Sequence, residues 1–241
     1  MRINKYLSMA LGISRRSADR EISQKKVKIN SKLAVLGDIV NEQEDKVYYQ
    51  QRMLKINKNF VYYALNKPLG YISTTKDKFA HKKITDLLPK NPAVFPVGRL
   101  DKNSQGLMIL TNDGDFANHL MHPQFKHLKK YIVEVAGANF DVNKIIHRLK
   151  RGVRLREGLA KFDDIQIVNI NTHKARARFM VTLHQGWKRQ IRRMFSNLKL
   201  EVILLKRIVI GDLDLKKLKI KPGEYKKITS QEVISPNKKS Q

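Results

Sequence analysis

The first 48 residues have the hydrophobic pattern of a small, separately folded unit. Apolar residues recur at helical spacing in residues 3–11, and a second helical segment follows in residues 14–24. Gly12 is placed to end the first helix, and Ser14 is placed to cap the second. The alternating segment KVKIN predicts a short half-buried strand, and AVLGDIV and DKVYYQ could supply two more. We therefore predict two helices followed by a small sheet.

A longer unit begins near residue 60, after residues 49–59, which have no clear period. Strand-like runs occur in FVYYALN, AVFPVGRLD, LMILTN, KKYIVEVAG, ARARFMVTL and EVILLKRIVIG. Helical spacing is confined to a few segments, which include VNKIIHRLKRGV and RQIRRMFSNLKL. Many strands with hairpin-like connections predict an α+β fold with a mainly antiparallel, mixed sheet. We divide the chain into a small domain at 1–48, a linker at 49–59, a large domain at 60–235 and a flexible tail at 236–241.

The charge of the chain points to a polyanionic partner. The sequence has 49 Lys and Arg residues against 21 Asp and Glu residues, and its formal net charge is +28. Nucleic acid is the first candidate for such a partner. A membrane surface is disfavoured because no basic amphipathic helix dominates and no apolar run is long enough to span a bilayer. Because there is no cysteine and no recognisable export signal, we expect a cytoplasmic protein without disulfides or thiolate metal sites.

The segment GRLDKNSQGL carries the most suggestive acid of this basic chain, Asp101. If the preceding strand continues through it, alternation places Arg99 and Asp101 on one face. A polar loop with a glycine follows, which is a favourable place for a ligand-binding side chain. The residues alone leave two interpretations open. Asp101 is either a structural salt-bridge partner or a catalytic acid.

The basic segment RQIRRMFSNLKL predicts an amphipathic helix at residues 189–198. Its apolar side is formed by Ile191, Met194, Phe195 and Leu198. Arg192 lies at the flank, where its guanidinium can reach a cleft, and an arginine fork is well suited to keep a carboxylate ionised. Arg189 and Arg193 lie opposite the apolar side, either as a solvated face or as phosphate contacts.

Other chemistry has weaker support in the sequence. His119 and His122 stand near Asp113 and Asp115, but no third ligand has a clear spacing, so we predict no metal site. Nucleotide-binding glycine motifs and a GxSxG elbow are absent. Tyr131, in KKYIVEV, is either a core residue or an aromatic platform for an unstacked base.

Several motifs together resemble a known enzyme family. GRLDKNSQGLMILTNDGDF resembles the catalytic motif of pseudouridine synthases of the RsuA/RluB/RluE/RluF type. LNKPLGYIST, KKYIVEV and QGWKRQIRRMF resemble that family's other blocks, and they occur in the expected order. Residues 1–48 resemble the small RNA-binding domain first described in ribosomal protein S-four. The resemblance covers about residues 1–235. The motifs RLDKNSQGL and QGWKRQIRRM are most similar to those of the RluF branch, which modifies 23S rRNA.

The resemblance implies roles for three residues and a substrate class. Asp101 would be the nucleophile, Arg192 its ion-pair partner, and Tyr131 the aromatic that stacks on the target base and can act as a base. The reaction would convert one uridine of 23S rRNA, in a stem-loop or a pre-ribosomal particle, into pseudouridine after base flipping, without metal, ATP or other cofactor. A tRNA target and a non-catalytic rRNA-binding protein are the alternatives, and nothing requires more than a monomer.

Basic residues from both domains are expected to contact RNA phosphates. They are Arg2, Lys5, Arg15, Arg16, Lys67, Arg99, Lys130, Arg189 and Arg193.

Overall fold

The chain forms two compact units in its computed structural model. The units are Met1–Phe60 and Val61–Gln241. The structure describes residues 1–56, 58–75, 81–137, 141–171 and 173–235. The predicted tail at 236–241 lies outside the described residues.

The first unit contains the two predicted helices and a four-stranded sheet. The helices are α1 (Ile3–Leu11) and α2 (Arg15–Ser23), and the strands are β1 (Val27–Ile29), β2 (Lys32–Leu33), β3 (Val47–Tyr49) and β4 (Arg52–Met53). The sheet order is β2-β1-β3-β4. Gly12 ends α1 in the left-handed conformation (φ 65°), and the Ser14 hydroxyl caps α2 by accepting a hydrogen bond from the Ser17 amide. The end of α1 and the start of α2 are therefore set by the two residues that the sequence analysis predicted.

Two parts of this unit differ from the sequence-based expectation. Residues 34–38 form no strand, because this segment turns back so that the Asp38 carbonyl accepts a hydrogen bond from the Ile3 amide (2.8 Å). The predicted linker at 49–59 begins with the turn and second strand of the β3–β4 hairpin. Gln50 and Gln51 both adopt positive φ values in this turn, although neither is a glycine or asparagine. The hairpin was missed because its usual turn residues are absent.

The second unit is built around one large sheet. Its strands are β5 (Tyr62–Lys67), β6 (Phe95–Val97), β7 (Gln105–Thr111), β8 (Lys129–Ala136), β9 (Val153–Leu155), β10 (Gly158–Ala160), β11 (Asp164–Asn171), β12 (Arg176–Leu183), β13 (Glu201–Ile210), β14 (Leu213–Asp214) and β15 (Tyr225–Ile228). The main path is β11-β12-β8-β13-β7-β5-β15, with β14 beside β13 and β6 beside β7, while β9 and β10 form a separate hairpin. All described pairings of the main sheet are antiparallel except that of β13 with β7. The predicted α+β class and mainly antiparallel, mixed sheet are confirmed.

The centre of this sheet is covered on both faces. Leu65, Met108 and Leu110 belong to one hydrophobic cluster, which also receives α4 and α5. Ala64 and its neighbours on β7 belong to a second cluster, which receives α3, α6 and α7. The helices are α3 (Gly114–Met121), α4 (Val142–Arg151), α5 (Gln190–Ser196), α6 (Leu215–Leu218) and α7 (Ser230–Val233), with 3-10 turns at Ile84–Leu87 and Pro123–Phe125. The continuous apolar run LMIL is explained by this two-sided burial. Within the described residues, no helix is both long and apolar enough to cross a membrane.

The close approach of β7 and β13 depends on Gly106. This residue pairs with Arg207 on the parallel strand β13 and with Lys67 on the antiparallel strand β5. Its φ is +104°, and a Cβ atom there would lie 2.2 Å from the Arg207 carbonyl oxygen. Only glycine fits without moving the β13 backbone.

We predict that Gly106→Ala destabilises the protein by about 2–4 kcal/mol, since it adds both backbone strain and overpacking. Chemical denaturation measures this change. Gly114→Ala is the matched control, because no atom lies within 4 Å of a Cβ at that position and its φ is not positive. A Gly106→Ala protein as stable as the control would contradict the close approach described above.

Candidate active site

The loop at 98–104 connects β6 to β7 and carries Asp101. Strand β6 ends at Val97, and Gly98 takes a φ of +73° that turns the chain out of the strand. The predicted strand alternation of Arg99 and Asp101 is therefore wrong, because both residues follow the end of the strand. Arg99 is exposed and Asp101 is half-buried. The Ser104 amide donates a hydrogen bond to the Asp101 carbonyl (3.0 Å), which closes the loop on itself.

The Asp101 carboxylate forms an ion pair with Arg189. The distance from Arg189 Nη1 to Asp101 Oδ2 is 3.6 Å, and the side chains are 51% and 37% exposed. A pair this long and this accessible contributes at most about 1 kcal/mol. Asp101 is therefore a partly accessible carboxylate with a cation beside it.

Arg192 does not form the predicted ion pair with Asp101. Its Nη2 donates to the Asn103 carbonyl (2.6 Å) and to the Ser104 hydroxyl (3.4 Å), and its Nη1 donates to the Val202 carbonyl (2.8 Å). The side chain is half-buried on α5, and its two Nη groups are directed to these oxygens of the loop and of β13. Its buried Nε has no hydrogen-bond partner among the described residues. Burial and the neighbouring Arg189 lower the pKa of Arg192, whereas Asp101 and Glu201 act in the opposite direction. Arg192 thus fixes the loop after Asp101 and adds positive charge near it.

Lys67 is completely buried at the end of β5. Its side chain is 0% exposed, and its Nζ donates to the Ser104 carbonyl (2.6 Å) and to the Pro68 carbonyl (3.1 Å). Burial lowers the pKa of this ammonium group to about 8, with Arg207 acting in the same direction and Asp101 in the opposite one. The expectation that Lys67 contacts RNA is contradicted, because a buried amine held by two backbone oxygens cannot reach a phosphate.

A third cation, Arg207, lies beneath the start of β7. It is 3% exposed, and its Nε donates to the Leu107 carbonyl (2.7 Å). Lys67, Arg192 and Arg207 therefore bind the carbonyl oxygens of Ser104, Asn103 and Leu107, respectively. We call these three side chains the carbonyl clamp. They come from β5, α5 and β13, so the chain segment after Asp101 is held from three sides.

Tyr131 lies in the same part of the sheet as the clamp. It pairs with Arg207 across β8 and β13, and Arg207 pairs with Gly106 of β7. Because neighbouring strands are about 4.8 Å apart, Tyr131 and Gly106 are separated by two strand spacings, or about 10 Å. Tyr131 is buried within the hydrophobic core, with 8% of its surface exposed. Nearby Lys129 is half-buried, and its partial burial lowers its pKa to about 8.

The remaining residues expected to contact RNA differ in their accessibility. Arg2, Arg15, Arg16, Arg99 and Arg189 are exposed, and Lys5 and Lys130 are half-buried. Arg193 is occupied by a two-pronged ion pair with Glu157 (2.8 and 2.9 Å), which also lowers the pKa of Glu157. That pair ties α5 to the β9–β10 hairpin, so Arg193 is a structural partner of Glu157 in this structure.

The arrangement can present the Asp101 side chain to an anionic ligand. Arg189 forms an ion pair with Asp101, and Lys67 and Arg192 add positive charge near it. The same cations reduce the repulsion that Asp101 would exert on a phosphate. Among the described residues, no group of three or more His, Cys, Asp or Glu side chains is arranged to hold a metal ion. The site therefore fits nucleophilic or acid–base work by a carboxylate on a polyanion.

Comparisons with known proteins agree with this chemistry. The sequence model of the RNA pseudouridylate synthase family matches residues 61–197. The chain is 35% identical to ribosomal large subunit pseudouridine synthase B of Bacillus subtilis, covering 96% of this chain and 93% of that protein. It is 37% identical to the dual-specificity RNA pseudouridine synthase RluF of Escherichia coli, covering 97% and 77%.

A solved structure also matches nearly the whole chain. The crystal structure of a pseudouridylate synthase superimposes with a TM-score of 0.65 at 26% identity, covering 97% of this chain and 98% of that chain. The chain therefore belongs to the RNA pseudouridylate synthase family, and it is an isomerase that forms pseudouridine in RNA.

Proposed function

We propose that this enzyme converts one uridine of 23S rRNA into pseudouridine and that Asp101 is its nucleophile. The observation that carries the proposal is an accessible Asp101 carboxylate on a loop fixed by the carbonyl clamp. The substrate class is supported by the Bacillus relative, whose name specifies the large ribosomal subunit. The name of the Escherichia coli relative gives that protein dual specificity for RNA. We keep tRNA as the second candidate substrate.

The proposed reaction rearranges one uridine without any change in oxidation state. The bond between the sugar C1′ and uracil N1 breaks, the uracil turns, and a bond forms between C1′ and uracil C5. A proton leaves C5, and N1 gains one. Attack by Asp101 at the sugar and attack at the ring both use its carboxylate as the nucleophile. No redox cofactor or nucleotide enters this balance.

Tyr131 and the basic surface have supporting roles in this proposal. Tyr131 stacks on the target base and can accept the C5 proton. This role requires the target base to reach the buried pair of residues that Tyr131 forms with Arg207 across β8 and β13. Flipping a base out of its stack costs a few kcal/mol, which contacts with RNA phosphates offset. Arg2, Lys5, Arg15, Arg16, Arg99, Lys130 and Arg189 provide such contacts in a monomeric cytoplasmic enzyme acting on a stem-loop or a pre-ribosomal particle.

We expect Asp101→Asn to retain RNA affinity within about twofold and to form no pseudouridine, because it keeps the shape of the side chain but removes the nucleophilic charge. The test is pseudouridine mapping of 23S rRNA and tRNA from a deletion strain that expresses either the wild type or the variant. One site in 23S rRNA should return with the wild type alone. Return of that site with Asp101→Asn would disprove the nucleophile assignment, and return of a tRNA site only would identify tRNA as the substrate.

We also expect the loss of Arg192 to slow isomerisation more than the loss of Arg189. Arg192→Met removes charged hydrogen bonds to Asn103 and Val202, each worth about 1.5–3 kcal/mol, and should slow single-turnover isomerisation about 100-fold. Arg189→Met is the matched control, because its long and exposed pair with Asp101 predicts a loss of less than about tenfold. An equal or larger loss in Arg189→Met would show that the direct ion pair, rather than the clamp, governs Asp101.

The buried ammonium group of Lys67 predicts a pH dependence of stability. Its pKa is about 8 in the folded protein, against 10.5 ordinarily. The unfolded chain therefore binds more protons between these two pH values, so the free energy of unfolding rises with pH across this window. Lys67→Met has no such group. Relative to this variant, the free energy of unfolding of the wild type should rise by up to about 1.4 kcal/mol per pH unit. Urea denaturation of both proteins from pH 7.5 to 10 measures the difference, and parallel curves would contradict the depressed pKa.

A further inference from the structure

The outward side of α4 is a basic surface that the proposed catalytic site does not use. Ile145 and Leu149 of this helix are buried, and Val142 and Ile146 pack against the core. Exposed side chains recur on the other side at the spacing i, i+3, i+4 and i+7. They are Lys144, His147, Arg148 and Arg151. This outward row extends over about 10 Å of the helix.

The same side chains line an open groove. Its volume is about 750 Å³. The residues that line it are Asn143, Lys144, His147, Arg148, Arg151 and Gly152. The groove therefore offers several cationic donors and one amide along a concave surface, which is the arrangement that a chain of phosphates can follow.

Acidic partners are scarce along this segment. From Val142 to Arg156 the sequence contains six Lys and Arg residues and no Asp or Glu. Lys144 forms an exposed ion pair with the N-cap residue Asp141 (3.3 Å). In the described part of the chain, the side chains of Arg148 and Arg151 have neither a hydrogen-bond nor an ion-pair partner. Their guanidinium groups are available to an external anion.

Stabilisation of the helix explains only part of this charge. Arg148 and Arg151 lie in the last turn, where cations interact favourably with the helix dipole. That explanation does not cover Lys144 in the first turn, the groove, or the exposed Arg154 and Arg156 that follow in the β9–β10 hairpin. A row that continues past the helix end is better explained by a ligand that extends along it.

The position of the row links it to the active-site helix. Gly152 ends α4 and leads directly into β9. The turn between β9 and β10 carries Glu157, whose two-pronged pair with Arg193 fixes the hairpin to α5. Helix α5 also carries Arg192 of the carbonyl clamp. A continuous series of contacts therefore joins the basic row to the Asp101 loop through the hairpin and α5.

We propose that the row formed by Lys144, His147, Arg148 and Arg151, which we call the α4 tract, binds backbone phosphates of the RNA that flank the target uridine. The proposal rests on the proposed function, since it assumes an RNA substrate at Asp101. The recognition is by charge and concave shape, so it is independent of base sequence.

The test compares the affinity of Arg148→Gln/Arg151→Gln with that of the wild type for two RNAs. These are an oligo(U) of 30 nucleotides and unmodified 23S rRNA. Both substituted side chains are exposed, so we expect the variant to fold, and its thermal melting is to be compared with that of the wild type. We expect affinity for both RNAs to fall about tenfold at physiological salt. We expect the slope of log K against log salt to shrink by about 1.4 for oligo(U), since each lost phosphate contact removes about 0.7.

Two control variants distinguish an effect of the α4 tract on RNA affinity from an effect of net charge. Lys216→Gln/Lys217→Gln removes two exposed cations from α6 and should change affinity less than twofold. Arg148→Lys/Arg151→Lys keeps the charge and should restore most of the affinity and the salt slope. Equal losses in the α4 and α6 variants would overturn the proposal, because the effect would then come from net charge alone.

Unchanged RNA affinity and salt slope in Arg148→Gln/Arg151→Gln would also overturn it. If that variant instead lost binding to polyglutamate, the tract would be a surface for an acidic protein. Wild-type pseudouridine formation in 23S rRNA is followed in parallel. Its absence would reject the proposed function, whereas its presence with unchanged binding in the variant would reject the α4 tract alone.

Discussion

The hydrogen bonds between three cationic side chains and the backbone after Asp101 are the constraint on which the site depends. Lys67, Arg192 and Arg207 belong to β5, α5 and β13, and they bind carbonyl oxygens between Asn103 and Leu107. Each bond from a charged donor is worth about 1.5–3 kcal/mol. Because the three donors come from separate elements, the loop can be in place only when the central sheet and α5 have assembled. The fold and the geometry of Asp101 are therefore coupled.

The clamp also determines the electrostatics of the site. Its cations bind neutral carbonyls, so their positive charge is not cancelled locally and acts on Asp101 and on a bound polyanion. Burial of this charge is costly, as the lowered pKa of Lys67 shows. An RNA phosphate near the site would offset part of that cost. A strongly basic protein can thus bring the Asp101 carboxylate close to RNA, because nearby cations reduce its repulsion of the phosphates.

The sequence predicted the two small helices, the α+β class and the importance of the GRLD segment. Helix caps and turn residues such as Gly12 and Ser14 are local signals, and those predictions were confirmed. The partners of Asp101 were harder to predict, because hydrogen bonds between Arg192 and loop carbonyls depend on tertiary packing. Arg207 was missed, although a cation inside the apolar run VILLKRIVIG indicates a buried charge with a specific role. The β3–β4 turn was missed because two glutamines take positive φ.

The carbonyl clamp, rather than the exposed ion pair of Asp101 with Arg189, holds the Asp101 loop in shape. Amide hydrogen exchange of residues 98–107 in the wild type and in Lys67→Met tests it most directly, because the Ser104 amide closes the loop onto the Asp101 carbonyl. We expect exchange in the loop to be at least about tenfold faster in the variant, with exchange in α3 unchanged, since a lost charged hydrogen bond of about 1.5–3 kcal/mol corresponds to at least that factor. Equal loop protection in the two proteins would contradict it.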